Sequence, residues 1–262
     1  MAEIEEYSVR AVERAIQILN SFDDEHPERG VSEIAEAVGL HKATAHRIIT
    51  TLLKYGLIER SSNGSNYKLG VQLLELGYRV NRRMDIRQEA LPYINQLGKE
   101  VDEAIDLSVF DQRQVLCIEM VQSSHALTIA ASVGKRLPAH CTAGGKLFLA
   151  HFSALQLEEY LLDPLRPLTP NSFTDPVLLK EELSRIKKEG YAMDEEELEL
   201  GVRAVASPIY NHQNKMVASL SIAGPVSRIS NERVKEILPK LIQTTLDISM
   251  RLGFLGKNPI ID

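Results

Sequence analysis

The stretch 39–60, GLHKATAHRIITTLLKYGLIER, constrains this chain more than any other. Ala45, Ile48, Ile49 and Leu52 recur at helical spacing and make one apolar face. On the opposite side Ala43, Arg47, Thr50 and Lys54 fall in a row, and no acid lies between His41 and Leu57. Upstream, EIAEAV reads as a short helix. Ser32 is its expected cap, with Glu33 and Glu36 in the early turns where the helix dipole favours acids. Gly39 ends that helix where a left-handed residue is wanted, and Gly56 stops the next one. Two short helices around a tight glycine turn form a helix-turn-helix. Residues 57–60 and 66–69 then read as strands joined by 61–65, with Asn63-Gly64 as the hairpin signal. A hairpin in that place is a wing.

The polar row makes chemical sense in a DNA major groove. Arg47 can give two hydrogen bonds to a guanine, while Lys42 and Lys54 can meet phosphates. Thr44, Thr50 and Thr51 are short donors for phosphate or thymine. Lys42, Ala43, His46 and Arg47, near the helix start, are expected to face base edges. Arg60 and Lys68 on the wing strands flank the backbone, and Ser32 completes the set of expected DNA contacts. Charge agrees. The chain carries a net −6, yet residues 41–83 hold eight Lys/Arg against Glu59 and Glu75. A basic segment inside an acidic protein points to a defined anionic partner.

Elsewhere the pattern predicts a helix from about Ser8, broken by DDEHPERG, and helical sequence from Val71 to about Val101. We expect two helices there, joined near Asp85, the second opening close to Pro92. This gives three segments: 1–70 for DNA, 71–85 as a linker helix, and 86–262. AIDLSVFD, QVLCIEMVQ, LTIAASV, GVRAVASPIY and MVASLSIAGP read as strands. AGGKLFLAHF, LQLEEYLL, PVLLKEELSRIKKEG and NERVKEILPKLIQTTLDISMRLG read as helices. Hairpin-like gaps with clustered helices predict an α+β fold, an antiparallel sheet with flanking helices.

The winged segment, followed by YKLG, resembles the IclR family of transcriptional regulators. The resemblance continues in GKRLPAHCTAGGKLFLA and DEEELELGVRAVASPIYNHQNKMVASLSIAGPVSRIS and spans about 8–254. It implies a winged helix-turn-helix, a helical linker and a GAF-like effector-binding domain, in dimers that pair into tetramers. The implied function is a ligand-responsive regulator, expected here to be a repressor of a catabolic operon. The implied pocket positions are Ala126, Ile129, Leu137, Ala143, Gly144, Asp194, Val202, Ala204, Ser219, Ser221 and Ala223. The turn Thr142-Ala143-Gly144 would form one wall, its helix-start N–H groups suited to the carboxylate of a small organic acid. Gly144 would let ligand and backbone approach, and an aromatic metabolite is the other ligand class expected. Of the acid run after Met193, Asp194 is the pocket-edge acid and Glu195 to Glu197 are read as surface.

Other classes fit less well. GGK lacks the earlier glycine and following Ser/Thr of a phosphate loop. Cys141 beside His140 suggests a thiol enzyme, but neighbouring side chains on a strand or turn point apart. A sensor acting only through protein contacts would not need the intact cationic row. The histidines lack metal-ligand spacing, two cysteines are too few for a disulfide framework, and no cofactor is expected. No apolar run approaches membrane length and the acidic N-terminus has no signal core, so we expect a cytoplasmic protein without membrane contact. One winged domain buries too little for a tight site. Two copies reading a pseudo-palindromic operator, as a homodimer or homotetramer, are expected.

Overall fold

The computed structural model describes residues 9–23, 25–62, 64–81, 85–125 and 132–255. They fall into two compact units, Met1–Arg83 and Met84–Asp262.

The first unit holds α1 (Arg10–Asn20), β1 (Arg29–Gly30), α2 (Val31–Ala37), α3 (Lys42–Lys54), β2 (Ile58–Arg60), β3 (Asn66–Leu69) and α4 (Val71–Asn81). Ile18, Ile34, Ala45, Ile49, Leu52, Ile58 and Tyr67 form its core, which explains why α3 turns one face inward. Gly39 and Gly56 adopt φ of 63° and 67°, the left-handed conformation that lets α2 and α3 end abruptly. Ser32 is not the cap of α2. The helix begins two residues earlier than that cap implies, at Val31 after Gly30, and the Glu33 carboxylate accepts from the Gly30 N–H at 2.7 Å. The acid reaches back to the amide of the cap residue itself, and no side chain caps the helix from in front. Strands β1, β3 and β2 form an antiparallel sheet in that order. A Cβ on Gly70 would stand 2.1 Å from the Gly56 carbonyl oxygen, so the wing closes directly against the turn that ends α3. Ser8 and Asn63 lie outside the described residues.

The second unit holds α5 (Asp85–Val101), β4 (Ala104–Asp111), β5 (Gln114–Val121), β6 (Arg136–Pro138), a 3₁₀ turn (Ala139–Cys141), α6 (Ala143–Ala150), α7 (Ala154–Leu161), α8 (Pro176–Glu189), β7 (Ala192–Glu195), β8 (Val202–Tyr210), β9 (Met216–Pro225) and α9 (Asn231–Arg251). The sheet is antiparallel in the order β6-β5-β4-β9-β8-β7. Alternation along the central strands assigns its faces. Val205, Ile209, Leu220 and Ile222 pack with Ile94 and Leu97 of α5 and Leu241 and Ile248 of α9. Ala204, Ala206 and Ala223 pack instead with Leu147 of α6 and Leu179 and Leu183 of α8.

Three expectations change. Helix α5 opens at Asp85 and carries Pro92 in its interior, because its buried face of Ala90, Ile94, Leu97 and Val101 runs through that position. Most of LTIAASV lies outside the described residues, and its last two, Ser132 and Val133, are not in a strand. The edge strands β6 and β7 were not anticipated, being only three and four residues long.

Helix α6 is wholly buried. Thr142 caps it, its Oγ1 accepting from the Gly145 N–H at 3.2 Å. The glycines set how close it comes: a Cβ on Gly145 would sit 2.3 Å from the Ala139 carbonyl oxygen, and one on Gly144 would sit 2.5 Å from Ser219 Oγ. Gly145→Ala must push the helix off the 3₁₀ turn, and we expect it to cost about 1 to 3 kcal/mol in urea denaturation. Unchanged stability would contradict this packing.

Candidate nucleic-acid interface and ligand cavity

Helix α3 presents Lys42, Ala43, His46, Arg47, Thr50, Thr51 and Lys54 as exposed residues, with Thr44 half-buried. Lys42 and Arg47 make no ion pair among the described residues. Their charge is free for a partner. The threonines are less available than the sequence suggests. Thr50 Oγ1 donates to the His46 carbonyl at 2.8 Å and Thr51 Oγ1 to that of Arg47 at 3.1 Å. Back-bonding of this kind is the ordinary fate of a helical hydroxyl, and it leaves their oxygens as acceptors. Arg60 is likewise engaged within the wing: its Nη1 donates to the Gly64 carbonyl at 2.9 Å and its guanidinium stacks over Tyr67. Lys68 faces Glu59 at 4.0 Å. Ser32 is exposed in the first turn of α2.

In the second unit, a cavity of about 70 Å³ opens between the start of α6 and the sheet. It gathers Leu137, Thr142, Ala143, Gly144, Asp194, Val202, Ala204, Ser221 and Ala223, all expected from the sequence. Ser219 is beside it, under Gly144, fully buried and with no hydrogen-bond partner on its Oγ. Ala126 and Ile129 lie outside the described residues. Gly144 therefore does more than leave room for a ligand. Its missing side chain is what admits Ser219 and Ser221 beneath the helix.

Sequence reasoning missed Asp106, Ser108, Val115 and Leu198, which also line the cavity. The signal was present: AIDLSVFD places a carboxylate and a hydroxyl two residues apart, on one face of an otherwise apolar strand. In the ladder Asp106 pairs with Ser221, and Ser108 with Ser219. Ser108 Oγ donates to Asp106 Oδ2 at 2.8 Å, and Ser221 Oγ approaches the same oxygen at 3.5 Å. Burial nevertheless pushes the Asp106 carboxyl up to about 6. Asp194 Oδ1 accepts from the Glu197 N–H at 2.7 Å, yet burial first and the Glu197 charge second push it up to about 7.

Glu197 is not a surface residue. It is 3% exposed and bonds Lys146, which is 1% exposed and faces Glu182 at 3.6 Å. A lysine in the buried helix AGGKLFLA requires an acid, and the acid run supplies it. Burial pushes Glu197 upward against the pull of Lys146. Among the described residues no lysine, arginine or histidine lines the cavity itself.

Nothing here resembles an activated thiol. Burial raises Cys141 to about 11 and Cys117 to about 12, so both stay protonated at neutral pH. The His140 ring is turned to the Arg166 carbonyl at 3.0 Å. Among the described residues no cluster could hold a metal ion, and no helix is long and apolar enough to cross a membrane.

A winged helix-turn-helix with a free cationic row, carried with a separate unit enclosing a small, mainly apolar cavity, defines a DNA-binding transcriptional regulator. Comparison with known proteins gives the particular family. The description "Bacterial transcriptional regulator IclR C-terminal" matches residues 78–250, and "IclR helix-turn-helix domain" matches 11–62. The chain belongs to the IclR family. It is 32% identical to the HTH-type transcriptional regulator XynR of Escherichia coli K12, over 94% of this chain and 98% of that one. It is 29% identical to the transcriptional repressor IclR of the same organism, over 94% of this chain and 90% of that one. A crystal structure of an IclR homologue from Microbacterium hydrocarbonoxydans, in complex with 4-hydroxybenzoate, superposes with a TM-score of 0.82 at 28% identity, covering 92% of this chain and 98% of that one.

The raised carboxyls give a pH signature. A carboxyl whose folded value exceeds its unfolded one contributes stability that is complete below about pH 4 and lost as the pH rises through the folded value. For Asp194 that value is about 7. His140 and His151, held below their ordinary values by burial, act oppositely as the pH falls through about 6.5. The informative quantity is therefore the calorimetric midpoint of the full chain minus that of Asp194→Asn. It should shift in favour of the wild type as the pH is lowered from about 8 to 5. A pH-independent difference would contradict the buried carboxyl.

Proposed function

We propose that this chain is a repressor whose operator affinity is modulated by a small organic acid bound in the cavity beside α6. The observation that carries the DNA half is the pair Lys42 and Arg47: exposed, without an ion pair among the described residues, on a helix whose other face is fixed in the core. Arg47 reads a base edge, with Ala43 and His46 beside it, while Lys42 and Lys54 meet phosphates. Thr44, Thr50 and Thr51 contribute contact surface, and Arg60, Lys68 and Ser32 flank the backbone. Family membership and the name of the E. coli repressor support the sign of the response.

The cavity supports the ligand half. Leu137, Val202, Ala204 and Ala223 enclose an apolar body, and the first N–H groups of α6 have no partners inside the helix. With Ser219 and Ser221 nearby and Asp194 at the edge, a carboxylate is held by amides and hydroxyls. Ala126 and Ile129 belong to the same proposed set. The volume favours a compact acid over a large aromatic metabolite. The 4-hydroxybenzoate bound by the Microbacterium homologue joins a carboxylate and a hydroxyl on one small scaffold. That chemistry suits these walls.

Assembly follows from the DNA. Two winged domains on a pseudo-palindrome, in a homodimer or homotetramer, supply the surface a specific site needs. Val71, Leu74 and Leu76 of α4 are 69%, 73% and 42% exposed, apolar area that pairing would cover. A catabolic operon as target and the cytoplasm as compartment complete the proposal.

Binding titrations on the gene's upstream DNA test it. Arg47→Ala should lose roughly 1 to 3 kcal/mol on the specific site and relax preference at one base. Lys42→Ala should weaken every sequence alike and reduce the salt slope by about one ion. Unchanged binding in both variants would remove α3 as the recognition helix. A monomeric mass by light scattering, with and without DNA, would remove the paired assembly.

A further inference from the structure

The polar end of the cavity carries more chemistry than a carboxylate site needs. Asp106 Oδ2 receives the Ser108 hydroxyl at 2.8 Å and has that of Ser221 at 3.5 Å. Its other oxygen has no hydrogen bond to any described residue. Ser219 Oγ, fully buried on the same face of β9, also lacks a partner. Ser219 Oγ is thus an enclosed polar atom left unpaired, and Asp106 is an acceptor open to the cavity beside it; a bound donor would satisfy the carboxylate there. Among the described residues no cationic side chain lines the cavity to supply one.

The opposite end is the start of α6. Its free N–H groups and the positive end of its dipole favour an anion. Ser221 stands between the two ends: its Oγ is 3.5 Å from Asp106 and 3.4 Å from the point where a Cβ on Gly144 would be. Anion-holding amides and an unsatisfied acceptor are thus one serine apart. A plain carboxylic acid uses the first and brings its charge toward Asp106 with nothing to offer it. An acid with a donor on the adjacent carbon uses both.

We propose that Asp106 is the specificity-determining residue of this cavity, selecting an effector whose carboxylate is held at the α6 start and whose neighbouring hydroxyl or amino group donates to Asp106. The effector is then a compact 2-hydroxy or 2-amino acid. Sites built to hydrogen-bond a ligand hydroxyl discriminate strongly against analogues without it, because their own polar groups are then left unpaired. The proposal rests on the reading of this cavity as the effector site.

The test is calorimetric titration of the full chain with lactate, alanine and propionate, which share three carbons and differ in the donor. Lactate or alanine should bind at least about tenfold tighter than propionate, and which of them does so identifies the donor. In Asp106→Asn, nearly identical in shape, that preference should fall to within about twofold, with propionate affinity retained within about threefold. Asp106→Ala should lose the preference as well, which guards against an amide that donates in place of the carboxylate. Equal binding of the three acids by the wild type, or a preference that survives both substitutions, overturns the role of Asp106. Binding of none of them by folded wild-type protein overturns the effector reading of the cavity itself.

Discussion

The close seat of α6 on the central sheet is the constraint on which the second unit depends. Two consecutive glycines permit it, Gly145 against the 3₁₀ turn and Gly144 against β9. With the helix so near, every one of its residues is buried, including Lys146. A buried ammonium must be paired, and so Glu197 is drawn in from the β7–β8 connection. The inward turn at Glu197 brings its N–H to Asp194, placing that carboxylate at the cavity edge. Cap, ion pair and cavity wall are consequences of one packing distance.

The same geometry explains what was legible in the sequence and what was not. The helix-turn-helix could be read because its apolar period, its glycines and its acid-free row all agree on one structure. The cavity face of β9 was legible through the family resemblance, which implied Ser219 and Ser221 as pocket positions. Asp106 was overlooked because a lone acid in a strand reads as the solvent side, and only its pairing with Ser221 turns it inward. Glu197 looked like one of several surface acids until Lys146 was seen to need it. The turn between β4 and β5 gave no glycine signal, since Gln112 and Arg113 adopt the left-handed region themselves, at φ of 49° and 68°. The cap of α2 was misplaced for a related reason: the Glu33 carboxylate, not the Ser32 hydroxyl, closes the helix start on the Gly30 N–H.

Electrostatics divides the labour between the units. The winged unit exposes unpaired cations on a buried scaffold, an arrangement suited to phosphate and base edges. The second unit lines its cavity with two carboxylates, Asp106 and Asp194, and among the described residues with no cation. Asp106 and Asp194 are raised toward neutrality for the same reason, loss of water around the carboxyl.

A ligand can alter DNA affinity only through a difference in its own affinity for the DNA-competent and DNA-released states. The most direct measurement is therefore the affinity of the full chain for its operator, by fluorescence anisotropy, at zero and at saturating concentrations of whichever acid binds the cavity. Coupling between cavity and winged unit predicts a change of roughly 5- to 150-fold, with the acid's own affinity changed by the same factor when DNA is bound. Saturation of the cavity with operator affinity unchanged would contradict it.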